Sequence, residues 1–271
     1  MLLKKLDKLE EEDFVIFRIP FETGRQSLSN IKRGLLLGVF VQFLFGGVFI
    51  YVVADPEVYP NEIKTILIGL SYLITTCLII ISIIFTLPNM YKKRQHIQYL
   101  IFSLMLLNVS GLSLYLMSML FLNRGAIMDH STYIILICIT FLLLFLFFVL
   151  ITLRLISSLE KGFYRRESRK FDYEDKYKED TRRLTKLPEV TVGIVGLIII
   201  MNSLFKYSNL AIELLIATIL CFLLPYISVY MFAHSLITYY CKKRFTSFNF
   251  DEDGNLYPLG SGDRVKDKEL A

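Results

Sequence analysis

Six long apolar runs, separated by polar stretches, dominate the hydrophobic pattern of this chain. They cover residues 31–54, 64–87, 97–122, 132–155, 189–205 and 209–241. A helix needs about 20 mostly apolar residues to cross the ~30 Å hydrocarbon core of a bilayer. Most of these runs reach that length, and the fifth is the shortest. The pattern predicts an all-α integral membrane protein with six transmembrane helices, and the lipid bilayer is its first expected partner.

Basic residues alternate between the two sides of these predicted spans. Twenty-seven of the thirty Lys and Arg residues lie on one side, and only Lys64, Arg124 and Lys206 lie on the other. Because cytosolic loops carry the excess of Lys and Arg, both termini are predicted to be cytosolic. The outer loops are short, so the six spans are predicted to form three helical hairpins.

Three cytosolic segments flank or interrupt the transmembrane domain, which is predicted to cover residues 31–241. They are a first tail, a loop between the fourth and fifth spans, and a second tail, at 1–30, 156–188 and 242–271. The loop is dense in charges of both signs. Such a pattern predicts that the fourth helix continues into the cytosol and is followed by a solvated helical segment with paired charges.

The two tails carry weaker signals of local structure. Leucines spaced for one helical face predict a short amphipathic helix over residues 1–13. Residues 14–21 are aromatic and β-branched, which predicts an extended segment. In the second tail, alternating apolar residues before Asp253 and Gly254 predict a hairpin-type turn. A small β element formed by the two tails is an arrangement that the sequence leaves open.

Composition and motifs exclude several classes of function. The chain is 54% hydrophobic with a mean hydropathy of +0.52, and its net charge of +5 follows from the orientation signal, so nucleic acid is not an expected partner. Its four cysteines and three histidines show no metal-ligand spacing. Nucleotide-binding, serine-hydrolase and zinc-protease motifs are missing from the sequence. These features predict a non-enzymatic protein with neither metal nor cofactor.

Small residues recur every four positions in the first span, at Gly34, Gly38 and Gly46, with Gln42 between them. Small side chains at this spacing let two helices approach closely, and a glutamine can form a hydrogen bond across the contact. Two interpretations follow. The face packs helices within the chain, or it docks against another membrane protein or a second copy of the chain.

Other polar or helix-distorting residues lie inside or near the spans and define a possible cavity or pathway. They are Asn108, Asn202, Glu213, Pro225, Tyr226, Tyr230 and His234. Proline removes a helical hydrogen bond, and the last three side chains follow it at four-residue intervals. Tyr226, Tyr230 and His234 therefore form a stripe with two interpretations: an interfacial or helix–helix hydrogen-bonding stripe, which is favoured, or the lining of a cytosol-facing cavity.

The general form, with six spans, minimal outer loops and no catalytic motif, is similar to that of accessory and self-protection membrane proteins of low-GC bacteria. This resemblance implies a bacterial plasma membrane and an accessory or immunity-type function, in which the chain binds a secretion component or a pore-forming toxin. The alternative is a transporter or permease subunit with a pathway lined by neutral polar residues. A third option is a membrane enzyme that acts on lipid-linked substrates.

Overall fold

A computed structural model of the chain describes residues 5–53, 61–125, 130–166, 168 and 211–261. Within these ranges every regular element is helical, and one isolated antiparallel bridge joins Phe250 to Leu256. Four helical stretches are long and apolar enough to cross a membrane: Leu28–Gly46, Gln95–Met119, Ser131–Glu160 and Phe222–Arg244. A shorter apolar helix covers Gly69–Ile84. The all-helical, membrane-type prediction is confirmed at this level.

The long helices are α1 (Leu28–Val53), α2 (Asn61–Ile84), α3 (Gln95–Leu106), α4 (Leu114–Gly125), α5 (His130–Glu160) and α6 (Ala211–Arg244). Short helical turns cover Ile19–Glu22 and Pro88–Tyr91, and 3-10 helices cover Glu11–Arg18 and Thr246–Phe248. Between α3 and α4 the chain winds as a π-helix over Leu107–Ser113, so the third predicted span is helical but not uniformly α-helical. The fifth predicted span, 189–205, and most of the charged loop lie outside the described residues.

Contacts between facing side chains give the relative directions of the helices. On α1 and α3, Gly34 faces Phe102 and Gly38 faces Met105, so these two helices run parallel. On α2 and α3, the Asn108 side chain donates a hydrogen bond to Thr75 and the Gln98 side chain donates one to the Phe85 carbonyl, so these two run antiparallel. We call the end where α1 and α3 begin and α2 ends the basal end of the bundle.

Helix α6 lies at the centre of the described bundle, where it packs against α3, the π-helix, α4 and α5. It runs antiparallel to α3 and the π-helix, since Ser228 donates a hydrogen bond to Ser110, and the rings of His96 and Tyr239 lie 6.1 Å apart. Helix α5 also ends at the basal end, where Glu160 pairs with Lys5 at 3.0 Å. Five of the six long helices therefore begin or end at one face of the bundle.

The two terminal segments fold against this basal face, and here one sequence prediction is wrong. Residues Phe14–Phe21 are not extended: they lie in the 3-10 helix and the helical turn that follows it. This segment is apolar on all sides because it is buried on all sides, with Phe14 fully inaccessible and Phe17 6% exposed. The tails do not form a sheet within the described residues, although the predicted turn at Gly254 exists, with a positive φ of 87°.

The predicted amphipathic helix at the start of the chain is described only from residue 5 onward. Residues 5 and 6 are helical, and a turn follows them. Leu6 is 4% exposed within the basal core, and Leu9 packs against the same core. In the described part, these leucines therefore contact protein rather than lie on a free surface.

Candidate functional site

The contact between α1 and α3 is made close by two glycines. A Cβ atom on Gly34 would lie 2.7 Å from the Phe102 ring, and one on Gly38 would overlap the sulfur of Met105. Larger residues at either position would separate the two helices. Gly46 does not make such a close contact, since a Cβ atom added there would have no atom within 4 Å. Gly34 and Gly38 thus pack helices inside the chain, which is one of the two roles predicted for them.

Gln42 lies one helical turn beyond Gly38. If the pairs Gly34–Phe102 and Gly38–Met105 are continued by one turn, Gln42 lies opposite the π-helix. Its side chain is 1% exposed, and both its amide oxygen and its amide nitrogen lack a hydrogen-bond partner among the described residues. The neighbouring Phe43, by contrast, is 76% exposed and points away from the bundle. A buried amide without partners is unusual in a native fold and requires a physical explanation.

Asn108 continues this polar contact on the facing helix. It lies in the π-helix and is 4% exposed. Its amide nitrogen donates to the Thr75 hydroxyl at 3.1 Å, while its amide oxygen has no partner in the described part of the chain. Single π-turns inside α-helices are frequent at functional sites because they redirect side chains from the regular helical register.

Two further buried polar groups lie on the same contact between α2 and α3, nearer the basal end. Ser82 is fully buried, although the isoleucines on both sides of it are exposed, and it lies seven residues from Thr75 on the same face of α2. Gln98 is also fully buried and donates only a long 3.4 Å bond to the Phe85 carbonyl. The Ser82 hydroxyl and the Gln98 amide oxygen have no partner among the residues described.

Five polar residues lie on the contact faces of α1, α2 and α3, and we call this set the polar seam: Gln42, Thr75, Ser82, Gln98 and Asn108. The ten residues from Gln98 to Asn108 correspond to about 15 Å along the helix axis. Five side-chain atoms of the seam are buried without a hydrogen-bond partner in the described structure. Each such atom costs about 1–3 kcal/mol unless a polar group reaches it. The polar atoms of the seam therefore call for polar partners that the described residues do not supply.

At the basal end the polar seam meets a layer of aromatic residues. Phe21 packs edge-on against Tyr99, the residue that follows Gln98 in α3, with ring centroids 5.8 Å apart. Gln95, one turn before, is bonded to Phe250 by both parts of its amide: the nitrogen donates to the Phe250 carbonyl at 2.7 Å, and the oxygen accepts from the Phe250 N–H at 2.9 Å. The seam therefore has no open end at this face in the described structure.

The cavity stripe predicted on the last span does not line this seam. Pro225 is fully buried inside α6. Tyr226 packs edge-on against Phe147 of α5 at 5.2 Å, so it faces another helix contact. Tyr230 is 43% exposed, and its ring lies 4.4 Å from that of His234. These residues share one side of α6, but the structure does not bring them to Gln42 or Asn108.

Two predicted site residues cannot be placed in the same way. Asn202 lies outside the described residues, and Glu213 lies in α6 at a position whose side chain is not described. Within the described ranges, no group of three metal-ligating side chains is close enough to bind a metal ion. The thiols of Cys77 and Cys138 are exposed on their helices, and Cys241 is buried.

The sequence pointed to part of the seam but not to all of it. Gln42 and Asn108 stood out as amides in apolar spans. Ser82 and Gln98 did not, because they lie near predicted span ends, where polar residues are ordinary. The available signal was the seven-residue spacing of Thr75 and Ser82, which places both on one face of α2.

Comparisons with known proteins give no match: no family model, no curated protein and no solved structure is significantly similar to this chain.

Proposed function

We propose that the chain crosses the plasma membrane six times, with both termini in the cytosol. The directions of the helices support this arrangement. Helix α5 ends at the basal end, whereas α6 begins at the opposite end, so the chain between residues 160 and 211 has to return along the length of the bundle. A fifth span at 189–205 accomplishes this. The basal face also carries exposed Lys93, Arg94 and Lys243, as the positive-inside rule requires of a cytosolic face.

We further propose that the bundle carries a small uncharged polar solute, as a transporter or permease subunit, and that the polar seam is its pathway. The observation that carries this proposal is the set of five buried side-chain atoms without partners. Lipid cannot satisfy such groups, and neither do the described protein residues. The side chains of the seam are amides and hydroxyls, which donate and accept hydrogen bonds but do not neutralise an ion. This chemistry favours a neutral solute.

The accessibility of the seam tests this function. In a chain whose four native cysteines are replaced, Gln42→Cys is expected to react with a small water-soluble thiol reagent. Phe43→Cys is the matched control, since the adjacent side chain points out of the bundle and is expected to be embedded in lipid. The expected rate ratio is at least about 10, because a thiol reacts as the thiolate, which lipid disfavours. Equal or absent reactivity at both positions would contradict a hydrated pathway.

A second candidate function is that of an accessory or immunity-type partner of another membrane component. The observation that favours it is the basal face, where both terminal segments fold into a rigid, charged surface beside the start of the loop at 161–187. In this interpretation the partner does not bind Gly34 and Gly38, because Phe102 and Met105 already occupy that face. The partner instead binds the cytosolic surface.

Co-purification separates the two functions. The tagged chain, extracted in mild detergent, is expected to retain a stoichiometric membrane partner if the accessory function holds. Replacing residues 169–186 with a neutral Gly/Ser linker of equal length should remove that partner, because charge complementarity between surfaces provides much of the specificity of association. Gly46→Leu, a substitution into open space, serves as the control. A chain that is isolated without any partner favours transport.

A further inference from the structure

The N-terminal segment at the basal end adopts a conformation that is rare at this length. Its 3-10 helix covers eight residues, Glu11–Arg18, whereas runs longer than three or four residues are uncommon because the hydrogen-bond geometry is poor. Every residue from Asp13 to Arg18 is buried. Tertiary contacts, rather than the local backbone, therefore hold this segment in place.

Polar contacts fix the segment at both of its ends. The Asp13 carboxylate pairs with Arg165, which follows α5. The Arg18 guanidinium donates to the Tyr257 carbonyl at 2.7 Å and pairs with Glu22 at 3.0 Å. Burial lowers the pKa of Arg18, while Glu22 and Glu11 raise it, and a guanidinium remains charged in either case. The N-terminal segment is thus tied to the C-terminal segment and to α5.

Aromatic rings join the two terminal segments directly beneath the polar seam. Phe21 lies edge-on to Phe248 and Phe250, with ring centroids 6.5 and 6.1 Å apart. The Lys242 ammonium lies 4.2 Å from the centre of the Phe21 ring and donates to the Phe248 carbonyl at 2.7 Å. Residues 13–21 and 245–256 therefore form one unit, which we call the basal cap.

The basal cap contacts the seam helix α3 through two side chains of that helix, Tyr99, which packs against Phe21, and Gln95. Gln95 holds both backbone groups of Phe250, as an adjacent strand would. The turn that follows Phe250 has an internal hydrogen bond, from the Asp251 N–H to the Asn255 carbonyl at 2.9 Å. Gly254 in this turn adopts a left-handed conformation. Lys92, just before α3, adds a third hydrogen bond, from its ammonium to the Glu252 carbonyl at 3.1 Å. A small turn held to α3 by so few bonds can separate from it without unfolding the bundle.

We propose that the basal cap is the cytosolic gate of the polar seam, and that the Gln95–Phe250 contact is its latch. This inference rests on the proposed transport function. With the latch closed, Phe21, Tyr99 and Phe250 separate Gln98 from the cytosol. When the latch opens, the turn around Phe250 moves off α3 and exposes the basal end of the seam. The gate controls access, and it requires no charged residue within the seam.

Access to Ser82 from the cytosolic side tests the gate. Ser82→Cys changes one atom in the middle of the seam, in a chain whose four native cysteines are replaced. In inside-out vesicles, a membrane-impermeant thiol reagent is expected to modify this cysteine slowly. Adding Gln95→Ala, which removes both latch bonds, should raise the rate about 10- to 100-fold through the larger open population. Lys5→Ala, which removes an exposed ion pair on the same face, should leave the rate unchanged.

Each outcome bears on a different proposal. Equal labelling rates with and without Gln95→Ala would overturn the gate but leave the pathway intact. Labelling that is absent in every variant in inside-out vesicles, while right-side-out vesicles show slow labelling from the outer side, would also overturn the gate. A thiol that stays unreactive from both sides in all variants would overturn the gate and the transport function together. Phe21→Leu keeps the apolar volume of the cap, and it replaces Gln95→Ala if that variant does not fold; a rate increase is expected here too.

Discussion

Gly38→Leu is expected to destabilise the bundle by about 2–3 kcal/mol, the cost of overpacking a filled contact. The Cβ atom alone would overlap the Met105 sulfur, and Met105 is 1% exposed, so its side chain has no free space to enter. The expected readout is a drop of about 4–10 °C in the apparent Tm of the purified protein in mild detergent, given the size of the chain. Combining Gly38→Leu with Met105→Ala should restore part of the loss.

Gly46→Leu is the matched control for that substitution. It makes the same chemical change in the same helix, but a Cβ atom at position 46 would meet nothing within 4 Å. The expected change in stability is within about 0.5 kcal/mol. If Gly38→Leu were as stable as Gly46→Leu, the close packing of α1 on α3 would be wrong, and the glycine face would again be available for an external partner.

Lys242→Ala is expected to cost about 2–4 kcal/mol, because three effects add at one buried position. The substitution leaves a cavity, it removes the hydrogen bond to the Phe248 carbonyl, and it removes a desolvated cation from the face of the Phe21 ring. Lys242→Met fills most of the volume without restoring the hydrogen bond, so an intermediate loss is expected. The measurement is again the apparent Tm in mild detergent.

Lys243 provides the control, since it is the next residue on α6 and is exposed. Lys243→Ala removes the same charge from the same cluster, and its expected effect is within about 0.5 kcal/mol. Equal losses in the two variants would mean that the charge of the cluster matters, rather than the buried position of Lys242. A loss confined to Lys242 would show that the basal cap contributes to the stability of the whole bundle.

The apolar pattern of the sequence predicted the helices better than it predicted their ends. Predicted runs at 31–54 and 64–87 correspond to α1 and α2 within a few residues, because hydrocarbon burial sets the length of such helices. Helix α5 continues to Glu160, beyond the predicted end of its run at residue 155. That last turn packs against protein rather than lipid, with Leu159 fully buried in the basal core. Hydropathy cannot distinguish these two apolar surroundings.

The error at Phe14–Phe21 has the same origin. Alternating aromatic and β-branched residues favour a strand when one face of the segment is exposed. In this fold the whole segment is enclosed, with Phe17 stacked on Tyr164 at 5.0 Å and Phe14 beside Phe245 at 5.7 Å. Its conformation is set by partners 147 and 231 residues away in the sequence, which no local pattern contains.

The candidate site was predictable only where a polar residue interrupts an apolar run. Gln42 and Asn108 were found by that criterion. The role of Gly34 and Gly38 remained ambiguous, because four-residue spacing describes a close helix contact but does not specify the helix on the other side. The helix on the other side is α3, which packs parallel to α1 although α2 lies between the two in the sequence.

The basal cap also constrains the order in which the protein can mature. Arg18 donates to Tyr257 and Arg244 donates to Leu6, contacts that join residues 239 and 238 positions apart. During synthesis the N-terminal aromatic residues therefore leave the ribosome long before their partners exist. They have to be shielded until residues 244–257 emerge, and the basal face is completed only after the described helices have been synthesised. A substitution near Tyr257 would then appear as a defect in biogenesis as well as in the mature protein.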